Sequence, residues 1–134
     1  MRWLALLLLL ACTTPGMPDP DQVDLTPEQV ARGFAYRVLE QPDLEQALRW
    51  TEPSASLEVR SQFGFLAGRE QVEYSVGVPS KEASRWLVVV PIRRVQVGPD
   101  SYRGQLRLDL GEDGRRVVHS SLRLTRPDGV ELSL

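Results

Sequence analysis

The sequence predicts an α+β fold, with two or three N-terminal helices packed on a bent antiparallel sheet of about five strands. Three observations lead to this prediction. Apolar residues recur every three or four positions between Val30 and Leu66, as they do in helices. They recur every second position after Gly68, as they do in strands with one buried face. The 134 residues, 42% hydrophobic and 25% charged, have the size and composition of one small domain.

The first 11 residues have the layout of an export signal. Met1-Arg2 is a short positive start, an apolar run follows, and small Ala11 precedes Cys12. The run is too short to span a bilayer as a permanent helix, which needs about 20 residues. The segment 9–12, with sequence Leu-Leu-Ala-Cys, resembles the lipobox of bacterial lipoproteins.

The lipobox resemblance implies that residues 1–11 are removed and that Cys12 carries fatty acyl chains. Two or three chains, at about 0.8 kcal/mol per buried CH₂, anchor a protein stably to a membrane. The resemblance places the protein in the bacterial cell envelope. In an organism with two membranes, Thr13 favours the outer membrane facing the periplasm, because it is not the Asp typical of inner-membrane retention. The alternative is a plain secretory signal with an incidental cysteine.

The segment 12–24 is predicted to be a tether between the lipid and the folded domain. Pro15, Gly16, Pro18 and Pro20 prevent regular structure and keep the chain extended. At about 3 Å per residue, this tether reaches up to ~35 Å. The acidic residues at positions 19, 21 and 24 are expected to be solvated linker. The folded domain is then 25–134.

Helix signals begin directly after the tether. Thr26 and Gln29 have the spacing of a capping box, which predicts a first helix to about Glu40. A second, short helix is predicted over 43–50, and a third from about 53 to 68.

The strand region contains one predicted irregularity. Apolar residues alternate over 72–78 and again over 86–92, where both parities are apolar and a central strand is expected. A loop through Pro79 and Lys81 is expected between them. Val95 and Val97 have the opposite parity, so a β-bulge is predicted near 92–94.

Two similar turns organise the C-terminal strands. The stretches 111–114 and 126–129 each suggest a type I turn followed by a left-handed glycine, which makes a three-residue loop. This register puts every large apolar residue except Val117 on one face. The predicted pairs are Leu108 with Val118, Leu106 with Ser120, Leu124 with Leu132, and Leu122 with Leu134.

The order of helices and strands over about 25–134 resembles the NTF2-like (cystatin-like) superfamily, which includes small bacterial lipoproteins, ketosteroid isomerases and polyketide cyclases. In the enzymes, Asp, His or Tyr side chains lie inside a cone formed by helices and sheet. In this sequence Glu73, Asp109, His119 and Glu131 have the parity of the outer sheet face. A general base needs shelter to keep a useful pKa, so we expect no catalytic site.

Four aromatic residues, Tyr36, Tyr74, Trp86 and Tyr102, are predicted to point inward, together with Trp50. They would either line a pocket for a small apolar ligand or fill the core. The balance of 16 basic and 18 acidic residues argues against a nucleic-acid partner. The single Cys and single His predict neither a disulfide nor a structural zinc site, and no cofactor is implied.

The outer sheet face is predicted to carry Arg94, Arg103, Arg107 and Arg123, with Asp109 and Glu131 among them. Guanidinium groups suit planar, bidentate contacts with carboxylates and phosphates. The face would bind an acidic protein, a phosphorylated envelope glycan or a second copy of the chain, or it is simply solvated.

The sequence therefore favours a non-catalytic, lipid-anchored envelope protein that acts as a binding or assembly module. A carrier of a small apolar ligand and an NTF2-like lyase or isomerase are the two alternatives.

Overall fold

A computed structural model describes residues 17–134. In this part of the chain three α-helices precede a six-stranded sheet whose named strands all pair antiparallel, which confirms the predicted α+β class. The helices are α1 (Pro27–Ala35), α2 (Leu44–Arg49) and α3 (Ser56–Leu66). The strands are β1 (Glu73–Tyr74), β2 (Ser80–Glu82), β3 (Arg85–Val97), β4 (Asp100–Leu110), β5 (Val117–Thr125) and β6 (Glu131–Ser133).

The first helix begins at the predicted capping box. The Gln29 backbone N–H donates to Thr26 Oγ1 at 3.2 Å, and the Thr26 backbone N–H donates to Gln29 Oε1 at 2.8 Å. Helix α1 ends at Ala35, and a π-helical turn over Tyr36–Glu40 continues it to the predicted end. The face that this helix buries contains Val30, Phe34 and Val38.

The second helix is held close to the first by a glycine. Asp43 caps α2 by accepting a hydrogen bond from the Gln46 backbone N–H at 3.1 Å. The buried Trp50 that follows α2 packs directly on Gly33 of α1. A Cβ at Gly33 would lie within 2.8 Å of three atoms of the indole ring, so the close packing requires a glycine.

Strand β3 is central and bulged. It pairs with β1 and β2 on one side and with β4 on the other. Ile92 faces Gly104 and Val95 faces Tyr102, so two residues of β3 oppose one of β4. This confirms the β-bulge predicted near 92–94, and both Ile92 and Val95 are buried as a result.

The segment before β3 differs from the prediction. Val78 was expected on the buried face, but 92% of it is exposed. The reason is that pairing with β3 stops at Gly77, whose N–H donates to the Val89 carbonyl at 2.8 Å. The chain then leaves the sheet and returns as β2, a short strand where a loop had been expected.

The β4–β5 hairpin corrects the predicted register by two residues. Its pairs are Leu108 with Ser120 and Leu106 with Leu122, rather than Leu108 with Val118 and Leu106 with Ser120. Gly114 has the predicted left-handed backbone, with φ of 69°, but the loop is longer than expected and closes where the Gly111 N–H donates to the Arg116 carbonyl. A bulge at Val118 then turns Val117 into the core, against the prediction.

The second hairpin follows the predicted register. Leu124 pairs with Leu132, and Leu122 exchanges two backbone hydrogen bonds with Leu134 at 2.8 and 2.9 Å. Gly129 has the expected left-handed backbone, with φ of 90°.

The hydrophobic core lies between the helices and one face of the sheet. Its sheet residues come from alternate positions of β3, β4 and β5, and its helical residues come from all three helices and the turns between them. Fully buried members include Val30, Phe34, Val59, Leu66, Val88, Val90, Leu106, Leu108, Leu122 and Leu124. The opposite face of the sheet, called the outer face below, is not covered by a helix or a second sheet in the described residues.

Residues 17–24 pack against the domain and are called the docked segment below. Arg49 Nη2 lies 2.6 Å from Asp21 Oδ2 and 3.5 Å from Asp19 Oδ1. The Arg115 guanidinium donates to the carbonyl of Val23 at 2.7 Å and to that of Gln22. This part of the predicted tether therefore has contacts at α2 and at the β4–β5 turn. No helix within 17–134 is long and apolar enough to cross a bilayer.

Candidate functional site

The structure places the four predicted arginines of the outer face at exposed positions: Arg94 in the β3 bulge, Arg103 and Arg107 on β4, and Arg123 on β5. Register explains their common direction. Arg107 pairs with Ser121 and Arg103 with Thr125, while the buried leucines occupy the intervening positions. The side-chain alternation of the strands thus brings these residues to solvent as a set.

Some of these arginines have carboxylate partners. Arg107 Nε lies 3.5 Å from Asp109 Oδ1, and Arg123 Nε lies 2.9 Å from Glu131 Oε1. The Arg123–Glu131 pair is exposed on both sides and contributes little stability, so the Arg123 guanidinium stays available for other contacts, whereas the Asp109 side chain is only 13% exposed. Within residues 17–134, neither Arg94 nor Arg103 has a carboxylate within 4.0 Å.

A hollow opens at the edge of this face, beside the β3 bulge. Three arginines from separate segments line it: Arg93 of the bulge, Arg103 of β4, and Arg126 of the turn after β5. Its volume is about 510 Å³, and the lining also includes Ser101, Tyr102, Thr125, Pro127 and Gly129. A second hollow of about 540 Å³ shares Arg93, Arg103 and Thr125 with the first. We call the two together the arginine hollow.

Arg126 is held in place by the turn that carries it. Its Nε and Nη2 atoms donate to the two carboxylate oxygens of Asp128 at 3.2 and 2.9 Å. Asp128 also accepts a hydrogen bond from the Val130 backbone N–H at 3.1 Å. The hydrogen bonds from Val130 and Arg126 lower the pKa of Asp128, and the hydrogen bond to Asp128 raises the pKa of Arg126. Both groups therefore stay charged at neutral pH.

Gly104, which lines the hollow, allows the close approach of β4 and β5. A Cβ on this residue would overlap the backbone carbonyl of Arg123, because β4 and β5 approach each other closely there. Any side chain would have to displace the backbone of β5.

The sequence did not single out Arg93 or Arg126. The predicted bulge near 92–94 was the available signal for Arg93, because a bulge brings an extra side chain to the surface. The sequence identified Arg126 only as the first residue of the predicted turn 126–129. Its approach to Arg103 depends on the β4–β5 pairing.

The outer face has a second, smaller depression of about 230 Å³. Arg107 and Arg123 line it together with Gln105, Ser121 and Ser133. Arginine and hydroxyl groups in one depression offer several hydrogen-bond donors to a partner.

The four predicted pocket aromatics do not share one pocket. Only Tyr36 and Tyr74 line the same hollow, of about 310 Å³. Tyr102 stacks edge to face on Phe65 of α3, with ring centroids 6.4 Å apart, and lines the arginine hollow. Trp86 lies under Lys81, whose Nζ is 5.2 Å from the ring centroid.

Tyr74 makes a polar contact at the rim of its hollow. Its hydroxyl donates to Glu40 Oε1 at 3.1 Å. Burial, followed by the negative charge of Glu40, raises the pKa of Tyr74 well above its usual range. The phenol is therefore neutral in the folded protein at physiological pH.

The residues considered for catalysis lie apart from these hollows. His119 Nδ1 lies 2.7 Å from Glu58 Oε2 on α3, a contact that the sequence did not suggest. Asp109 is flanked by Arg85 and Arg107, at 4.0 and 3.5 Å. No group of three His, Cys, Asp or Glu side chains within the described residues is arranged to hold a metal ion.

The predicted lipidation site, Cys12, lies outside the described residues, as do the signal 1–11 and the first part of the tether.

Comparison of the chain with protein-family models, with curated proteins and with solved structures finds no match. The resemblances to lipoproteins and to the NTF2-like superfamily therefore remain predictions from the sequence. The α+β architecture and the arginine-rich outer face rest on the structure of this chain alone.

Proposed function

We propose that this protein is a lipid-anchored cell-envelope protein that acts as a non-catalytic binding module, and that its outer face binds an acidic protein. One observation carries this proposal. Arg94 and Arg103 are exposed on a sheet whose other face is already buried by helices, and neither has a carboxylate partner in the described residues. They have no role in the core.

The distribution of charge supports an acidic partner. The whole chain has a net charge of −2, yet five arginines lie on or beside the outer face, against the four carboxylates of Glu73, Glu82, Asp109 and Glu131. The five are Arg85, Arg94, Arg103, Arg107 and Arg123. A face that is positive on a weakly acidic protein attracts acidic surfaces and orients them during encounter.

Two of these carboxylates favour a polypeptide over an acidic polysaccharide. Asp109 and Glu131 lie beside Arg107 and Arg123, so a stiff polysaccharide with regularly spaced carboxylates would meet them whenever it meets the arginines. The acidic side chains of a polypeptide are flexible, so they can pair with the arginines and avoid the carboxylates.

The predicted lipid at Cys12 supports the location. Acyl chains would hold the domain at a membrane surface, where it meets only partners of the same compartment. We expect Cys12→Ser to move the protein from the membrane fraction to the soluble fraction after cell lysis. Retention of this variant in the membrane would contradict lipid anchoring.

The outer face is tested with a soluble acidic polypeptide. Binding of the purified full chain to immobilised polyglutamate is expected to weaken as salt concentration rises, because exposed charges are screened. The double variant Arg107→Glu/Arg123→Glu should bind at least tenfold more weakly, and neither position lines the arginine hollow.

Arg32→Glu/Arg60→Glu is the matched control, since it makes the same change in net charge at exposed positions of α1 and α3. Equal loss in both double variants would show that only net charge matters and would contradict a specific face. Binding to polygalacturonate but not to polyglutamate would assign the partner to the acidic glycans instead.

A further inference from the structure

We propose that the arginine hollow is a binding site for the phosphate group of a small phosphorylated molecule. This inference goes beyond the proposed function, because it concerns a separate ligand at the end of the sheet and depends on neither the lipid nor the protein partner. The hollow combines three guanidinium groups, an aromatic ring and two aliphatic hydroxyl groups, from Ser101 and Thr125, in one concave site.

The three guanidinium groups come from three separate segments of the chain. Arg93 belongs to the β3 bulge, Arg103 to β4, and Arg126 to the turn between β5 and β6. A planar carboxylate has two oxygens, and a single arginine fork can occupy both of them. A tetrahedral phosphate monoester presents three terminal oxygens, so it can accept hydrogen bonds from arginines on several sides. The arrangement of the hollow therefore favours phosphate.

The charge of the hollow agrees with this choice. Arg126 is neutralised by Asp128, while Arg93 and Arg103 have no carboxylate within 4.0 Å among the described residues. Two uncompensated positive charges match a phosphate monoester, which carries about −1.5 to −2 at pH 7. Asp100 lies 3.9 Å from Arg126, but its side chain is about half exposed, so solvent screens its repulsion of a phosphate.

Arg126 has a different role from the other two arginines. Its hydrogen bonds to Asp128 use Nε and Nη2, which fixes the plane of the guanidinium group. A donor that is already oriented loses less entropy when a ligand binds. We therefore assign Arg126 as a preorganised donor, and Arg93 and Arg103 as the residues that supply the net charge.

The hollow is larger than one phosphate group requires. The first of its two parts has a volume of about 510 Å³, which falls within the range of small-molecule sites. Tyr102, Pro127 and Ile92 supply apolar lining beside the polar groups. A ligand that carries a ring next to its phosphate would use both kinds of lining, and phenyl phosphate is a simple probe of that chemistry.

The site is tested by calorimetric titration of the purified full chain in detergent micelles. Phenyl phosphate is expected to bind saturably with one site per chain. Arg93→Gln and Arg103→Gln should each weaken binding about tenfold or more, because each removes charge-assisted hydrogen bonds. Arg60→Gln is the control, because Arg60 is an exposed arginine of α3 that does not line the arginine hollow. This variant should bind phenyl phosphate as tightly as the unmodified protein does.

Benzoate provides the comparison of phosphate with carboxylate on the same ring. We expect it to bind at least tenfold more weakly than phenyl phosphate. Equal affinity for benzoate, an absence of saturable binding, or unchanged binding in both hollow variants would overturn the proposal. The far-ultraviolet circular dichroism of each variant shows whether the fold is kept, and Gln at exposed Arg93 or Arg103 is not expected to change it.

A second arm identifies the source of the phosphate. The full chain carrying Cys12→Ser is mixed with phosphatidylcholine vesicles that contain or lack phosphatidic acid, so that no acyl chain at Cys12 contributes to vesicle binding. Equal binding to both vesicle types supports a soluble phosphorylated ligand. A preference for phosphatidic acid that Arg103→Gln abolishes would assign the hollow to a lipid headgroup and would overturn the soluble ligand. If Arg93→Gln loses phenyl phosphate binding but still binds polyglutamate, the hollow and the proposed partner face are separate sites.

Discussion

Glu58 and His119 connect the helical layer to the sheet at a strand edge. His119 Nδ1 lies 2.7 Å from Glu58 Oε2, and the same carboxylate oxygen accepts a hydrogen bond from the Ser120 backbone N–H at 3.4 Å. Strand β6 is too short to cover this part of β5. The carboxylate therefore occupies an edge where another chain could otherwise pair.

Replacing Glu58 should weaken this connection. Glu58→Ala removes both contacts and is expected to lower the free energy of unfolding by about 1 kcal/mol, because the contacts are partly exposed. Glu45→Ala, at an exposed position of α2, is the control and should change stability far less. Urea denaturation followed by tryptophan fluorescence measures both. Equal stability of the two variants would contradict a role for Glu58 at the edge.

A buried polar pair offers a sharper test of packing. Only 1% of Gln62 is exposed, and its Nε2 donates to the Ser120 carbonyl at 2.8 Å while its Oε1 accepts from Ser120 Oγ at 2.5 Å. Gln62→Leu leaves the buried hydroxyl without its partner and should cost about 1 to 3 kcal/mol. Adding Ser120→Ala removes that unpaired hydroxyl and should recover part of the loss.

The double-mutant cycle for Gln62 and Ser120 measures their coupling. Since the two side chains are in direct contact, we expect a coupling energy of about 0.5 kcal/mol or more. Additive effects of the two substitutions on the urea midpoint would show that the hydrogen bond contributes nothing of its own.

Two glycines should respond to alanine with opposite signs. Gly33→Ala forces a methyl group into the Trp50 ring and should destabilise the fold by about 1 to 3 kcal/mol. Gly64 of α3 has open space where its Cβ would be, so Gly64→Ala should stabilise the fold by about 0.5 to 1 kcal/mol. Thermal melting of both variants measures the difference. A stable Gly33→Ala protein would mean that α1 and Trp50 are less closely packed.

Tyr74 should make the folded protein less stable at alkaline pH. Its pKa is raised in the folded protein, chiefly by burial and then by Glu40. The unfolded phenol loses its proton near pH 10, before the folded one does, so the unfolded state binds fewer protons above that pH. The contribution of Tyr74 to the free energy of unfolding is therefore fully present below about pH 10 and decreases as the pH rises further.

Tyr74→Phe should flatten this alkaline decline. The measurement is the urea midpoint between pH 9 and 11, and Tyr36→Phe is the comparison within the same hollow. At neutral pH the variant loses only the hydrogen bond to Glu40, worth about 1 kcal/mol. If the urea midpoint falls equally steeply with pH in Tyr74→Phe and in the unmodified protein, Tyr74 is not the origin of the decline.

Local features of the fold could be predicted from the sequence, and features that depend on distant segments could not. The capping box of Thr26 and Gln29 spans three residues, and the β3 bulge follows from a change of parity between Ile92 and Val95. Both signals are contained in one stretch of chain. The predicted β4–β5 register was wrong because the loop is one residue longer than expected and the bulge at Val118 adds one more. A shift of two residues keeps the same side chains on each face, so the alternation of apolar residues does not reveal it.

The same distinction applies to the candidate site. Parity correctly placed Arg107 and Arg123 at the surface, because each lies between buried leucines of a regular strand. Parity does not tell which surface residues share a depression, so Arg93 and Arg126 were missed. It also grouped Tyr74 with Tyr102, although the two rings line different hollows.

The docked segment gives the proposed anchor a direction. Arg115 holds Gln22 and Val23 at the β4–β5 turn, but Met17, the described residue nearest Cys12 in the chain, lines the hollow of Tyr36 and Tyr74. Tyr74 pairs with Ile92, which lines the arginine hollow. Only five residue steps separate Cys12 from Met17, a span of at most ~18 Å and not the longer reach expected for a free tether. Lipidation at Cys12 would therefore hold the domain close to the bilayer, with the hollow of Tyr36 and Tyr74 toward the lipid and the arginine hollow at the same level of the sheet.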